Sequence, residues 1–451
     1  MKWVVVGAGS AGCVAARRLV DAGHHVTLIE AGAPMQPDHG VVDIDGSDAF
    51  AAIGVEGRTF PDVVARRTTA GPERRYLRGR GVGGSSAVNG MVALRGDPAL
   101  YASWGWAPAE VEQAWARCLI PEERPEDAEL GRTDRLLLEA RSDAEVCPLT
   151  RRNGRRVTSA EAYLWPILGA VGSRFEVVSD RVVDRVDFDA SGAATGVTLA
   201  GGEQVDCDAV VLAAGAIHSP TILQRSGITA AGTGLRDHPA AGLLLKFGSD
   251  SRVQLDPARR GLATASIVNH DGIQLLALNH LGVDSPPEYA MLLVALMRPI
   301  SPGGSVRLRS DDPMEPPIVD FHLLSHADDR RRLAVAVREA LTTLDDPPFG
   351  PVVDEVFIDD RGTRAASLDS DEAIEAWLLE YGADYVHASS SCATVLDDAG
   401  GVIGHEGTYV CDASAFPGIP DANTHLPTTM LAERIAARWP GVAGAVEGLS
   451  S

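Results

Sequence analysis

The strongest signal in this sequence lies at residues 2–30, which read KWVVVGAGSAGCVAARRLVDAGHHVTLIE. An apolar run up to Val6 predicts a buried strand, helical spacing of apolar residues from Cys13 predicts a helix, and a second apolar run ending at Ile29 predicts a second strand. The intervening glycines are spaced so that a pyrophosphate can approach the backbone at the N-terminus of the helix. Together these features predict a strand–helix–strand unit that binds a dinucleotide.

Each key position of this motif has its own physical task. Gly7 permits a tight turn, Gly9 lets the backbone approach the pyrophosphate, and Gly12 lets the helix pack closely on the strand. Glu30 ends the second strand at the spacing expected for an acid that accepts hydrogen bonds from ribose hydroxyls. The motif alone leaves open whether the dinucleotide is NAD or FAD.

Composition narrows the possible functions. The chain has 451 residues, an apolar fraction of 45% and a net charge of -22, so it can form a large core and would be repelled by nucleic acids and anionic lipid surfaces. No apolar run approaches the roughly 20 residues that span a bilayer. The six cysteines are scattered, so neither a disulfide framework nor a metal site is predicted. The first strand starts at residue 3 and leaves no room for a signal peptide, which predicts a cytoplasmic location. The densest basic run, residues 151–156, is interpreted as a solvated loop.

Further motifs follow in a fixed order along the chain. They are RGVGGSSAVN (80–89), VVLAAGAIHSP (210–220), RDHP (236–239), YVHASSSC (385–392) and DASAFPGIPDANTHLPTTM (412–430). In this order they resemble the glucose–methanol–choline (GMC) oxidoreductases, and the resemblance covers essentially the whole chain. It implies an α/β fold, α+β overall, in which a glutathione-reductase-type Rossmann domain binds FAD and a substrate domain has an antiparallel sheet flanked by helices.

The predicted domain limits follow from this resemblance and from the apolar patterning. Residues 1–242 are expected to form the FAD-binding domain, with a flavin-covering lid at 33–75 and a part at 97–165 that lies partly on the substrate side. Residues 243–382 are expected to form the substrate domain, and 383–451 to return to the FAD-binding domain. Strands are predicted at 243–247, 263–268, 273–278, 289–297 and 305–308, and helices at 221–226, 327–344 and 371–381.

The resemblance also implies which residues contact FAD. They are Gly7, Gly9, Ser10, Ala11, Gly12, Glu30, Ala31, Arg80, Gly83, Gly84, Ser85, Asn89, Val182, Ala214, Gly215, Asp412, Ala413, His425, Pro427 and Thr428. Members that bind FAD covalently use a histidine after the paired glycines. Because Ala87, Val88 and Asn89 stand there instead, non-covalent FAD is predicted.

Two histidines are predicted to be catalytic. His387 falls where the family places the general base, and His425 falls at a second position that hydrogen-bonds the same hydroxyl. A neutral imidazole suits proton removal at neutral pH. His238 is expected to be structural, and His270 and His280 are lesser candidates for lining the substrate pocket.

The predicted reaction is oxidation of an alcohol to a carbonyl compound, with hydride passing to flavin N5. The alcohol is expected to be a small molecule or to be attached to a carrier, and the electron acceptor to be a quinone, a redox carrier or oxygen, with a dehydrogenase favoured over an oxidase. The chain is short for the family, which brings to mind the branch associated with mycofactocin. The alternatives are a lyase of the hydroxynitrile lyase type, an NAD-dependent enzyme and a non-catalytic flavin electron carrier.

Overall fold

The computed structural model describes residues 1–34, 46, 48–169, 171–248 and 262–442. Residues 35–45 and 47 of the predicted lid, and the last nine residues of the predicted C-terminal segment, therefore lie outside the described residues. The α-helices of the described residues are α1 (Ser10–Asp21), α2 (Ala49–Gly54), α3 (Pro98–Ser103), α4 (Pro108–Arg117), α5 (Arg132–Ala140), α6 (Gly215–Arg225), α7 (Ala327–Asp345), α8 (Asp371–Tyr381) and α9 (His425–Ala436).

The strands are β1 (Lys2–Val6), β2 (His25–Ile29), β3 (Val64–Arg66), β4 (Glu73–Arg75), β5 (Ala144–Val146), β6 (Arg151–Arg152), β7 (Arg155–Arg156), β8 (Phe175–Val178), β9 (Val183–Phe188), β10 (Ala194–Leu199), β11 (Gln204–Asp206), β12 (Ala209–Leu212), β13 (Thr233–Leu235), β14 (Ala240–Phe247), β15 (Ser266–His270), β16 (Ile273–Leu278), β17 (Tyr289–Leu296), β18 (Gly304–Arg307), β19 (Ile318–Asp320), β20 (Val353–Phe357) and β21 (Thr408–Val410).

A five-stranded parallel sheet is built around the N-terminus, in the order β21-β12-β1-β2-β8. The predicted strand–helix–strand unit is confirmed, because β1, α1 and β2 follow each other and the two strands pair in parallel. The carboxyl ends of β1, β12 and β21 meet at one edge of this sheet. The glycine motif, the turn after residue 212 and the turn after residue 410 are thereby brought together.

A six-stranded antiparallel sheet forms the second large layer, in the order β20-β14-β17-β16-β15-β5. One face packs on α7 and α8 through an apolar cluster that includes Leu275, Leu292 and Val337, and the opposite face carries a second cluster that includes Leu276. The parallel and antiparallel layers confirm the predicted fold class. The predicted strand at 305–308 joins a different, mixed sheet (β13-β18-β19-β3-β4), because an apolar pattern does not say which partner a strand will pair with.

The helix predicted at 221–226 begins earlier, at Gly215, and contains Pro220. Proline lacks the N–H that would bond the carbonyl four residues before it. That carbonyl, of Ala216, instead accepts a hydrogen bond of 2.7 Å from the Ser391 hydroxyl. A distant side chain therefore satisfies the group that proline leaves without a helical partner.

The basic run at 151–156 is not a solvated loop, so this interpretation was wrong. It is the hairpin β6–β7, in which Arg151 and Arg156 are paired directly and are 1% and 2% exposed. Directly opposed residues of an antiparallel pair project from the same face, so the side chains of Arg151 and Arg156 both lie on the buried face. Arg151 donates bidentately to Glu129, and Arg156 donates to the Asn89 side chain at 2.6 Å.

Other expectations can be checked in the described parts of the chain. All six cysteines carry free thiols there. Within the same residues, no helix combines the length and the apolar character needed to cross a bilayer.

Candidate active site

A cavity of about 670 Å³ lies between the edge of the parallel sheet and the antiparallel sheet. Most of the residues predicted to contact FAD line it, although they come from distant parts of the chain. They are Gly7, Gly9, Ser10, Ala11, Glu30, Ala31, Arg80, Gly84, Ser85, Asn89, Val182, Ala214, Gly215, Asp412, Ala413, His425 and Thr428. Gly12, Gly83 and Pro427 do not line the cavity. His387 lines the same cavity.

The glycine motif leaves room for a cofactor at one position. A Cβ on Gly9 would meet nothing closer than the Cα of Gly84, at 4.0 Å, so the space above Gly9 belongs to the cavity. A Cβ on Gly12 would lie 1.8 Å from the Gly7 carbonyl oxygen, so this glycine serves the packing of the turn. Gly7 has a φ of 98°, which a residue with a side chain rarely adopts. The free space over Gly9 at the start of α1 fits a pyrophosphate.

Glu30 braces the loops of the cavity. One carboxylate oxygen accepts from the Ala8 N–H at 2.8 Å, and the other accepts from the N–H groups of Gly32 and Gly81 at 3.0 and 2.9 Å. The sequence predicted ribose hydroxyls as its partners. The structure adds a second task, because these three bonds hold the glycine motif and the 80–89 loop together.

His387 lies in a hydrogen-bond network centred on Asp237 and His238. Its Nδ1 lies 2.9 Å from Nδ1 of His238, and His238 Nε2 lies 3.0 Å from the carbonyl oxygen of Pro420. One carboxylate oxygen of Asp237 accepts the backbone N–H groups of His238 and His387, and the other accepts from the Tyr76 hydroxyl at 2.6 Å. This network fixes both the backbone and the ring of His387.

Asp237, His238 and His387 are also close enough together to suggest a metal site. Their facing atoms, however, are already engaged. Both oxygens of the carboxylate accept hydrogen bonds, and both ring nitrogens of His238 have partners. We therefore interpret the group as a hydrogen-bond network.

The backbone next to His387 is strained. Val386 has a φ of 54° and Ser390 a φ of 70°, which are unusual values for residues with side chains, above all for a β-branched one. Such conformations cost about 1–3 kcal/mol each and persist where surrounding contacts impose them. Here the Val386 carbonyl accepts a hydrogen bond from Arg78, which is one such contact.

His425 is the first residue of α9, whose N-terminal turn lies against the cavity. Its Nδ1 lies 2.9 Å from the Ser10 hydroxyl, and its buried Nε2 has no hydrogen-bond partner among the described residues. The side-chain oxygen of Asn423, which also lines the cavity, is likewise buried and unpartnered in this part of the chain. These two atoms are available to a bound ligand.

Burial keeps the histidines of the site neutral. Burial, followed by the neighbouring His238 ring and the Arg78 guanidinium, holds the pKa of His387 well below its usual value. Burial and then Arg156 lower the pKa of His425 to about 4, and burial lowers the pKa of His238 to about 3. At neutral pH each ring therefore offers one N–H and one lone pair.

Sequence reasoning missed several residues that line the cavity, and it offered two histidines as candidates that do not line it. His218 and Arg78 line the cavity, and burial, then Arg225 and Arg78, lower the pKa of His218 to about 4. His218 stands inside the quoted 210–220 motif, which was the available signal. His270 and His280 do not line the cavity; His270 is exposed on β15.

The fold and the cavity define a dinucleotide-binding oxidoreductase with neutral histidines at its site. Comparison with known proteins identifies the family. Two GMC oxidoreductase family models match the chain, one over residues 1–118 and 137–240 and the other over 299–432. The chain therefore belongs to the GMC oxidoreductases, and it is an FAD flavoprotein that acts on alcohol-type substrates.

Individual relatives resemble the chain over nearly its whole length. It is 29% identical to the oxygen-dependent choline dehydrogenase of Paraburkholderia phymatum, with 97% of this chain and 92% of that protein covered, and 28% identical to that of Serratia proteamaculans, with 97% and 95% covered. Among solved structures, pyridoxine 4-oxidase from Mesorbium loti has a TM-score of 0.83 at 23% identity, with 97% of this chain and 99% of that chain covered. A variant of Aspergillus oryzae formate oxidase has a TM-score of 0.83 at 18% identity, with 99% and 98% covered. These two structures share the fold.

Proposed function

We propose that the protein oxidises an alcohol to a carbonyl compound in an FAD-dependent reaction, with His387 as the general base and His425 assisting. Hydride leaves the α-carbon far more readily once the hydroxyl proton is being removed. Bound FAD supplies the acceptor for that hydride. The observation that carries the proposal is that two neutral, buried histidines line the same cavity as the residues expected to hold FAD.

His238 sets the protonation pattern of His387. The Pro420 carbonyl oxygen can only accept, so Nε2 of His238 must carry its proton. Its Nδ1 then has the lone pair and accepts from Nδ1–H of His387. This arrangement leaves the lone pair of His387 on Nε2, where it can take the hydroxyl proton of the substrate. His238, which the sequence assigned to a structural role, thus becomes a positioning residue.

His425 suits an assisting role. Its buried Nε2 can hydrogen-bond the substrate hydroxyl while Nδ1 is held by Ser10. The N-terminal end of α9 carries a partial positive charge, which favours negative charge developing in the adjoining cavity. Non-covalent FAD held by the predicted residues of the cavity completes the proposal.

Anaerobic mixing with alcohols tests this function. The purified yellow protein should lose its flavin absorbance with a suitable alcohol, and His387→Ala should slow that bleaching by roughly 10²–10⁴-fold, the usual effect of a positioned base. His270→Ala is the matched control, because His270 is exposed and lies outside the cavity. Cleavage of a cyanohydrin without any bleaching by alcohols would instead identify a lyase.

A further inference from the structure

One wall of the cavity is apolar and belongs to the antiparallel sheet. Leu276 on β16 is paired in register with Leu293 on β17, and Leu278 follows Leu276 on the same face. All three side chains line the cavity, and Met91 and Val92 line it beside them. Leu276, Met91 and Val92 are buried, whereas Leu278 and Leu293 are only partly buried. The wall therefore offers apolar surface to a ligand.

This wall begins next to the proposed base. The ring of Tyr385 lies 4.7 Å from that of His387, between centroids, and its hydroxyl donates to the Gln274 side chain at 2.5 Å. Gln274 precedes Leu276 by two residues on β16, so the two side chains share a face of the sheet. An alcohol whose hydroxyl reaches His387 would thus extend along the leucines.

The charges around this part of the cavity do not favour a cationic substrate. Arg78 lines the cavity, and its charge acts on His387. The buried carboxylates among the described lining residues are already engaged: Glu30 and Asp412 accept hydrogen bonds in the cofactor half, and Asp384 forms an ion pair with Arg67. Asp62 and Glu315 also line the cavity, but both are exposed. Burying a cation without a buried, free counter-charge is costly.

We propose that the substrate is an uncharged alcohol whose apolar chain or ring lies on Leu276, Leu278 and Leu293. This inference rests on the proposed alcohol oxidation and adds the substrate class. It separates the chain from the choline dehydrogenases to which it is similar, since choline is named in those proteins and carries a permanent positive charge.

Two alcohols of the same shape test the proposal. Choline and 3,3-dimethylbutan-1-ol differ in that a neutral carbon of the second replaces the charged nitrogen of the first. Their dissociation constants are measured from flavin difference spectra in FAD-loaded His387→Ala protein, where turnover is slow. We expect the neutral alcohol to bind at least tenfold more tightly. Equal affinity, or tighter binding of choline or of the anion 4-hydroxybutanoate, would overturn the proposal.

The same experiment separates this inference from the proposed function. Wild-type protein is mixed anaerobically with both alcohols. If the neutral alcohol binds more tightly but no alcohol bleaches the flavin, the proposed alcohol oxidation is refuted, whereas the proposal that the ligand is uncharged is supported. If choline bleaches the flavin more efficiently, oxidation stands and the neutral class fails.

A charge placed on the apolar wall should change the preference for a neutral alcohol over choline. In the His387→Ala background, Leu293→Glu is expected to weaken binding of 3,3-dimethylbutan-1-ol at least tenfold and to reverse the preference toward choline. Leu119→Glu is the matched control, because Leu119 is 40% exposed and lies outside the cavity. Leu278→Gln provides a milder change should Leu293→Glu fail to load FAD. Unchanged discrimination in an FAD-loaded wall variant would contradict the assignment of the wall.

Discussion

Replacing His238 by leucine tests what directs the lone pair of His387 toward the substrate. The change removes the acceptor of the His387 Nδ1–H but keeps an apolar side chain in the space. A buried donor without a partner costs about 1–3 kcal/mol. His387 can avoid this cost by moving its proton to Nε2 or by turning its ring, and either change takes the lone pair away from the substrate. Since 1.4 kcal/mol corresponds to a tenfold ratio, flavin reduction should slow by roughly 5- to 150-fold.

The assay is rapid anaerobic mixing of FAD-loaded protein with alcohol, followed at the flavin absorbance. His238→Gln is the matched variant, because its side-chain oxygen can accept from His387 while its amide nitrogen donates to the Pro420 carbonyl. We expect the glutamine variant to reduce its flavin within about tenfold of the wild-type rate. FAD content and the dissociation constant of the alcohol should be similar in both variants.

Two results would refute this reasoning. One is a leucine variant that reduces its flavin at the wild-type rate while fully loaded with FAD. The other is that the leucine and glutamine variants reduce their flavin equally slowly, because the hydrogen-bond acceptor that glutamine restores would then have no effect on the rate. The second result would return His238 to a purely structural role.

Four further results are expected. The pKa of His387 is held well below its usual value, so the imidazole is already neutral at pH 7. The rate of flavin reduction should therefore stay constant through neutral pH and fall only on acidification through that lowered pKa. A fall that begins near pH 6.5 in stopped-flow traces would argue against this. Gly9→Val should fold, by circular dichroism, yet lose FAD, whereas Gly12→Ala should lose the fold as well because its Cβ would collide with Gly7. Glu30→Gln should destabilise the FAD-loaded protein by about 1–3 kcal/mol in denaturant titrations, since an amide N–H would face backbone donors; an unchanged midpoint would show that the bracing bonds matter little. Acid precipitation should release all of the flavin to the supernatant, and yellow colour in the pellet would reveal a covalent bond.

Local patterns sufficed to predict the first strand–helix–strand unit. The apolar spacing and the glycines from Gly7 to Gly12 act through neighbours in sequence, so their consequences can be read without the rest of the chain. The sequence left open which sheet the strand at 305–308 joins, and it placed the buried pair of Arg151 and Arg156 wrongly, for the opposite reason. Which sheet a strand joins, and which face of a hairpin is covered, are decided by distant parts of the chain.

The site likewise combines features that local sequence motifs predict with features that depend on distant parts of the chain. The family motif located His387 and His425 in sequence, but it did not show which groups act on the pKa of His387. In the structure the groups that lower the pKa of His387 besides burial are His238 and Arg78, which are far away in sequence. Motifs identify the groups that do chemistry, while the hydrogen bonds that set their protonation require the folded chain.

The cavity joins the two ends of the chain, and this has a consequence for how the protein acquires its cofactor. Ser10 bonds His425 across 415 positions, and Arg18 at α1 makes a buried, bidentate pair with Glu433 at α9. During synthesis the glycine motif is made before its partners on α9, which lie about 400 residues further along the chain. A nascent chain that has not yet reached α9 therefore cannot complete the cavity, and loading of FAD is expected to wait until α9 has been made and has folded against α1.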